Sequence, residues 1–66
     1  MDGERFKNLL GKQVKTLFLD NGKTKVIIGV LYEVNSNYIM VNDVVIGLGS
    51  NFISCIPLEG NNGQLG

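Results

Sequence analysis

The sequence predicts a mainly β domain: a short N-terminal helix followed by a five-stranded, strongly bent antiparallel sheet. Three observations carry this reading. Apolar spacing is helical only near the start of the chain. From Val14 onward it follows a period of two, in five short runs separated by Gly, Asn, Asp or Pro. And 66 residues hold a single domain, with no repeat and no linker.

The elements follow in order. Residues 4–10 place Phe6, Leu9 and Leu10 on one side of a short helix stopped by Gly11. Two turns do not stand alone in water, so this helix must lie on something apolar. Val14, Thr16 and Phe18 then alternate with Lys15, Leu17 and Leu19, and Asp20-Asn21-Gly22-Lys23 forms a hairpin turn, because Asn and Gly both accept positive φ. Thr24 to Val34 is a long second strand, with Gly29 the expected place for a bulge or bend where a Cβ would crowd a neighbour. Asn35-Ser36-Asn37 turns into Tyr38 to Val41, Asn42-Asp43 into Val44 to Ile46, and Gly47 to Asn51 leads to Phe52 to Ile56. Pro57, lacking an N–H, is expected to end the ladder. The domain is thus placed at 1–58, and the Gly/Asn-rich residues 59–66 are expected to form a disordered tail.

Composition narrows what such a domain does. Folding alone, a chain of this length buries roughly 60% of its unfolded surface. Such a domain is marginal unless disulfides, metal or partner subunits help. The single cysteine, Cys55, has no internal partner, and with no His the usual zinc sets are missing, so partner subunits remain. The second strand points the same way. It is apolar on both faces, with Val26, Ile28, Val30, Tyr32 and Val34 on one and Ile27 and Leu31 on the other. Val44, Val45 and Ile46 repeat the pattern. Either a subunit contact covers the outer residues, or the sheet bends until both faces meet core. The start Met1-Asp2-Gly3-Glu4-Arg5 has no secretory signal pattern, and no apolar run reaches the roughly twenty residues of a membrane span. A soluble cytoplasmic protein, without membrane partners, is expected.

Leu10-Gly11-Lys12-Gln13-Val14, Asn21-Gly22, Gly29-Val30-Leu31 and Val34-Asn35 together resemble the first motif of the Sm-like family. Phe6 to Leu10 resembles the end of the N-terminal helix in its bacterial branch, Hfq, and Phe52-Ile53-Ser54-Cys55-Ile56-Pro57 is similar to the Hfq closing strand. The resemblance covers residues 6–57 and implies an Sm-like, SH3-type small barrel. It also implies that the fourth and fifth strands pair between subunits, giving homo-oligomeric rings, a hexamer or heptamer, that bind single-stranded RNA.

Single-stranded RNA is held by stacking, by hydrogen bonds to base edges and by cations near phosphate. The family's turn after the bent strand supplies Asp, a stacking side chain and Asn; here the matching positions are Asn35, Asn37 and Ile39. Tyr38 becomes a stacker only if the turn slips by one residue. Where the family places Arg-Gly or Lys-His, this chain has Leu48-Gly49 or Ser50-Asn51, with no cation. Ser50 and Asn51 can hydrogen-bond a base or simply form a tight turn. Net charge is zero, but it is separated. The first 25 residues hold all six basic side chains against Asp2, Glu4 and Asp20, net +3, and the rest holds only Glu33, Asp43 and Glu59, net −3. Contact with phosphate therefore falls to the helix and first hairpin, with Arg5 and Lys7 the candidates on the helix, unless these cations are an ordinary solvated face.

Catalysis has little material. There is no His, and no carboxylate pair has the spacing of a general acid and base. Cys55 reads as a buried, inert thiol, and Gly47-Leu48-Gly49 is too short for a phosphate loop. No enzyme and no cofactor is expected. Two readings stay open: a ring that binds single-stranded RNA weakly or by a non-standard face, and a non-enzymatic scaffold that binds an unknown protein.

Overall fold

The computed structural model describes residues 3–58. An N-terminal 3₁₀-helix, Gly3–Leu9, precedes five strands: β1 Gln13–Asp20, β2 Lys23–Val34, β3 Tyr38–Val41, β4 Val44–Gly47 and β5 Phe52–Pro57. They form one antiparallel sheet in the order β4-β3-β2-β1-β5. The sheet is not closed: β4 and β5 are its two edges. The tail expected at 59–66 lies outside the described residues.

The helix differs in kind from the expectation. A 3₁₀-helix has three residues per turn, so Phe6 and Leu9 stack on one face while Leu10 turns away. Phe6 is buried, Leu9 packs on the core, and Leu10 is 41% exposed. Gly11, at φ +83°, then swings the chain into the sheet, where its N–H donates to the Leu31 carbonyl (2.8 Å) and the Leu31 N–H to the Lys12 carbonyl (3.0 Å). Phe6 meets Phe52 of β5 with ring centroids 5.7 Å apart and a 58° tilt, which anchors the helix over the core.

β1 and β2 pair without interruption from Gln13↔Val30 to Asp20↔Lys23. They are joined by Asn21 (φ 54°) and Gly22 (φ +76°), the double positive φ of a type I′ turn. Gly29 therefore carries no bulge. The expected crowding is real, but the neighbour is a side chain: a Cβ there would overlap Asn42, which arches over it from the β3–β4 turn. Asn42 itself sits at φ 56°, accepts from the Val30 N–H through Oδ1 (3.1 Å) and donates its own N–H to the Val30 carbonyl (2.8 Å). The irregularities fall elsewhere. One is at Tyr32, where the β2–β3 register shifts between Leu31 and Glu33; the other is at Ile53, opposite the Leu17/Phe18 step of β1.

The shift at Tyr32 exchanges the faces of β2. Before it, Ile27, Gly29 and Leu31 point inward and Val26 and Ile28 outward; after it, Val34 turns to the core and Glu33 outward. The core of Phe6, Val14, Leu31, Ile39, Val41, Ile46, Leu48, Phe52 and Cys55 is enclosed between the two halves of the sheet. Of the two explanations for the apolar second strand, bending accounts for Val34, but Val26, Ile28 and Tyr32 stay exposed. Pro57 ends the strand as expected, though from inside the ladder. It is the last residue of β5, opposite Val14, and the next N–H, of Leu58, still reaches the Gln13 carbonyl (3.0 Å). On an edge strand its missing N–H leaves no inner partner unpaired.

The Gly29–Asn42 contact is testable. Gly29→Ala is expected to cost about 2 kcal/mol by overpacking. In an Asn42→Gly background, which keeps the positive φ and removes the side chain, the same change is expected to cost less than about 1 kcal/mol. Urea unfolding of the four proteins reads both, and equal costs in the two backgrounds would show that Asn42 is not what excludes the Cβ.

Candidate functional site

The β2–β3 turn is built on one side chain. Asn35 Oδ1 accepts from the N–H groups of Asn37 (2.9 Å) and Tyr38 (3.0 Å), and the Asn35 N–H donates to the Tyr38 carbonyl (3.0 Å). The side chain is thereby committed to holding the turn. The Asn37 carbonyl accepts from the Leu48 N–H (3.0 Å), which straps this turn to the β4–β5 connection. Gly3 seals the corner, since a Cβ there would overlap the Asn35 carbonyl oxygen and the Leu48 side chain. The start of the helix, the β2–β3 turn and the β4–β5 connection thus converge, with the Asn37 side chain exposed at the junction.

Tyr38 keeps the unslipped register, opposite Gly47, with Ile39 opposite Ile46. Ile39 is fully buried, so Tyr38 lies on the outer face, where its hydroxyl donates to Glu33 Oε2 (3.0 Å). It does not stand in the turn as a stacking platform. Ser50 and Asn51 are both exposed in a turn closed by the Phe52 N–H on the Gly49 carbonyl (3.1 Å). The Asn51 carbonyl accepts from the Leu19 N–H (2.7 Å), which ties this end of the connection to β1. With Phe18, Leu19 and Val45 to Gly47 they line an open groove of about 360 Å³ beside the β4 edge. Nothing in the spacing of Phe18 and Leu19 marked them as groove residues; the topology brings them to the edge.

The helical cations are separate from this groove's lining. The Arg5 guanidinium lies 4.9 Å above the Phe6 ring, and Lys7 Nζ pairs with Glu4 Oε1 at 2.8 Å, both side chains largely in solvent. Such an exposed pair contributes at most about 1 kcal/mol, so it leaves Lys7 able to exchange Glu4 for another anion. Lys25 approaches Asp20 at 4.0 Å across the first hairpin. Among the seven candidates, then, Asn35 and Asn37 share one turn, Ser50 and Asn51 another, Arg5 and Lys7 the helix, and Tyr38 the outer sheet. The corner thus offers the exposed Asn37 side chain, and the groove offers Ser50 and Asn51 for hydrogen bonding, with no charged group among the groove residues. Among the described residues no set of three or more His, Cys, Asp or Glu could hold a metal ion, and no helix is long and apolar enough to cross a membrane.

Cys55 is buried opposite Thr16. Burial pushes its thiol above the ordinary 9.0, and the Thr16 hydroxyl acts the other way. The opposing effect is small, because Thr16 Oγ1, itself fully buried, reaches no partner at hydrogen-bonding geometry.

No protein-family model matches the chain, no curated protein matches it and no solved structure matches it.

The thiol gives a prediction with a definite sign. Above pH 9.0 the unfolded state ionises its thiol first while the folded state keeps its proton, so stability falls with rising pH until the folded thiol also ionises. Cys55→Ala is expected to remove that part of the alkaline slope in urea unfolding. In the wild type, iodoacetamide at neutral pH is expected to label Cys55 only after unfolding. Rapid native labelling, or identical slopes, would contradict the inert thiol.

Proposed function

We propose that this chain is an Sm-like subunit that assembles through its two sheet edges into a homo-oligomeric ring, a hexamer or heptamer, and that the ring binds single-stranded RNA weakly by a non-standard face. The observation that carries the assembly is the pair of open edges. β4 and β5 end the same sheet, each with unpaired backbone groups and exposed apolar side chains: Val44 and Val45 (60%) on one, Ile53 (45%) and Ile56 on the other. A small soluble domain with two such edges is prone to pair them, and joining unlike edges of identical copies closes a ring when the rotation allows.

Asn37, Ser50 and Asn51 offer base-edge hydrogen bonds, and Arg5 and Lys7 supply cations that a ring multiplies by its subunit number. A second reading, a scaffold that binds protein, is favoured by one specific observation: Ile39, at the position where the family reads a base, is fully buried, and Tyr38, in the unslipped register, is held on the outer face against Glu33 rather than in the turn.

Sedimentation and native mass spectrometry are expected to give a closed oligomer that survives high salt. Val45→Lys combined with Ile53→Lys, both at exposed edge positions, is expected to abolish the closed ring while leaving the subunits folded. A stable wild-type monomer would end both readings. Filter binding of U-rich and A-rich RNA is expected to show weak retention that falls steeply with salt and drops further in an Arg5→Ala, Lys7→Ala variant. No retention at low ionic strength would remove the RNA reading and leave the scaffold.

A further inference from the structure

We propose that the outer face of the β2–β1–β5 half-sheet binds the outer face of the β2–β3–β4 half-sheet of a second copy, with Lys15 of one set against Glu33 of the other. On the first face the register places Lys15 between Ile28 of β2 and Ile56 of β5, with Leu17 and Val26 in the next row. Ile28 is 54% exposed and Ile56 48%. Lys15 is half-buried among them, and no described residue forms an ion pair with it.

The second face has the opposite charge in a similar setting. The shift at Tyr32 turns Glu33 outward, next to Met40, which itself neighbours the exposed Val45. The Tyr38 hydroxyl holds Glu33 Oε2 at 3.0 Å and leaves the carboxylate further sites to accept a cation. One face is therefore a lysine among aliphatic side chains, and the other a fixed carboxylate among apolar ones.

Charge selects how copies meet. The first face against itself sets Lys15 on Lys15, and the second against itself sets Glu33 on Glu33; only the unlike combination pairs the charges and covers apolar surface on both sides. The aliphatic neighbours of Lys15 give a nucleobase nothing to stack on, which favours a protein surface over RNA. Because the two faces differ, each docked copy still presents one face of each kind, and association continues beyond a dimer unless the geometry closes. This contact uses faces, goes beyond the edge pairing and does not depend on it.

Charge exchange tests it in the full chain. Lys15→Glu and Glu33→Lys are each expected to weaken self-association at least about tenfold at low salt in sedimentation equilibrium. The K15E/E33K double variant is expected to recover it. So is an equimolar mixture of the two single variants, in which the acidic first face of one meets the basic second face of the other. Circular dichroism and urea midpoints confirm folding, and recovery in the mixture excludes misfolding as the cause of each loss. Loss in both single variants without recovery in the mixture would overturn the proposal. So would association that responds to Val45→Lys and Ile53→Lys but to neither charge reversal, which would assign it to the edges alone.

Discussion

Everything in this domain depends on β2 belonging to two half-sheets at once. Over Lys23–Val30 it pairs with β1, and over Leu31–Val34 with β3, and between the two it changes which face looks inward. A regular strand has a side-chain period of two and cannot make that change; one extra residue can. Tyr32 is that residue. Without it, Val34 would face solvent and Glu33 the core, at the cost of a buried charge. The change of face lets a chain of this size enclose a core between halves of one sheet, with the 3₁₀-helix over it through Phe6.

The handover is held by polar contacts rather than by more hydrophobic surface. Asn42 exchanges two hydrogen bonds with the Val30 backbone at the point where β1 pairing stops, and Asn35 holds the turn that follows. Both use side-chain amides to satisfy backbone groups that would otherwise lie at a ladder end without partners. The same arrangement explains why Asn35 has little left for a ligand, while Asn37, two residues further along the turn, keeps its side chain in solvent.

The number and order of strands were legible in the sequence because period-two runs and Asn-Gly, Asn-Asp and Gly-rich breaks are local signals. β3 spans Tyr38–Val41 as its residues imply, and the Asn21-Gly22 turn follows from φ alone. What was not legible is relational. Gly29 is glycine because of Asn42, thirteen positions away in sequence, and no local pattern distinguishes that from a bulge. The helical spacing of Phe6, Leu9 and Leu10 fits an α-helix on paper, but a three-residue turn puts only the first two on the sheet. For the candidate site, the residue types of Asn37, Ser50 and Asn51 were visible, but the groove that Ser50 and Asn51 border was not. Phe18 and Leu19 join it only through the β1–β5 pairing.

The β1–β5 pairing has a consequence for how the domain holds together. β1 to β4 form a meander with connections of two or three residues, whereas joining Leu17 to Ser54 closes a loop through most of the chain. Relative to a two-residue turn, that closure costs roughly 2–3 kcal/mol more in chain entropy. Phe52 and Cys55 in the core, with the backbone bonds at Asn51 and Leu58 on either side, offset it. β5 is thus held by a single ladder, to β1, and by its two core side chains. When it detaches, β1 becomes a new open edge of matching register, and a β5 strand from a neighbouring copy fits it as well as the chain's own. The route to exchange of strands between copies is written into the order of the sheet.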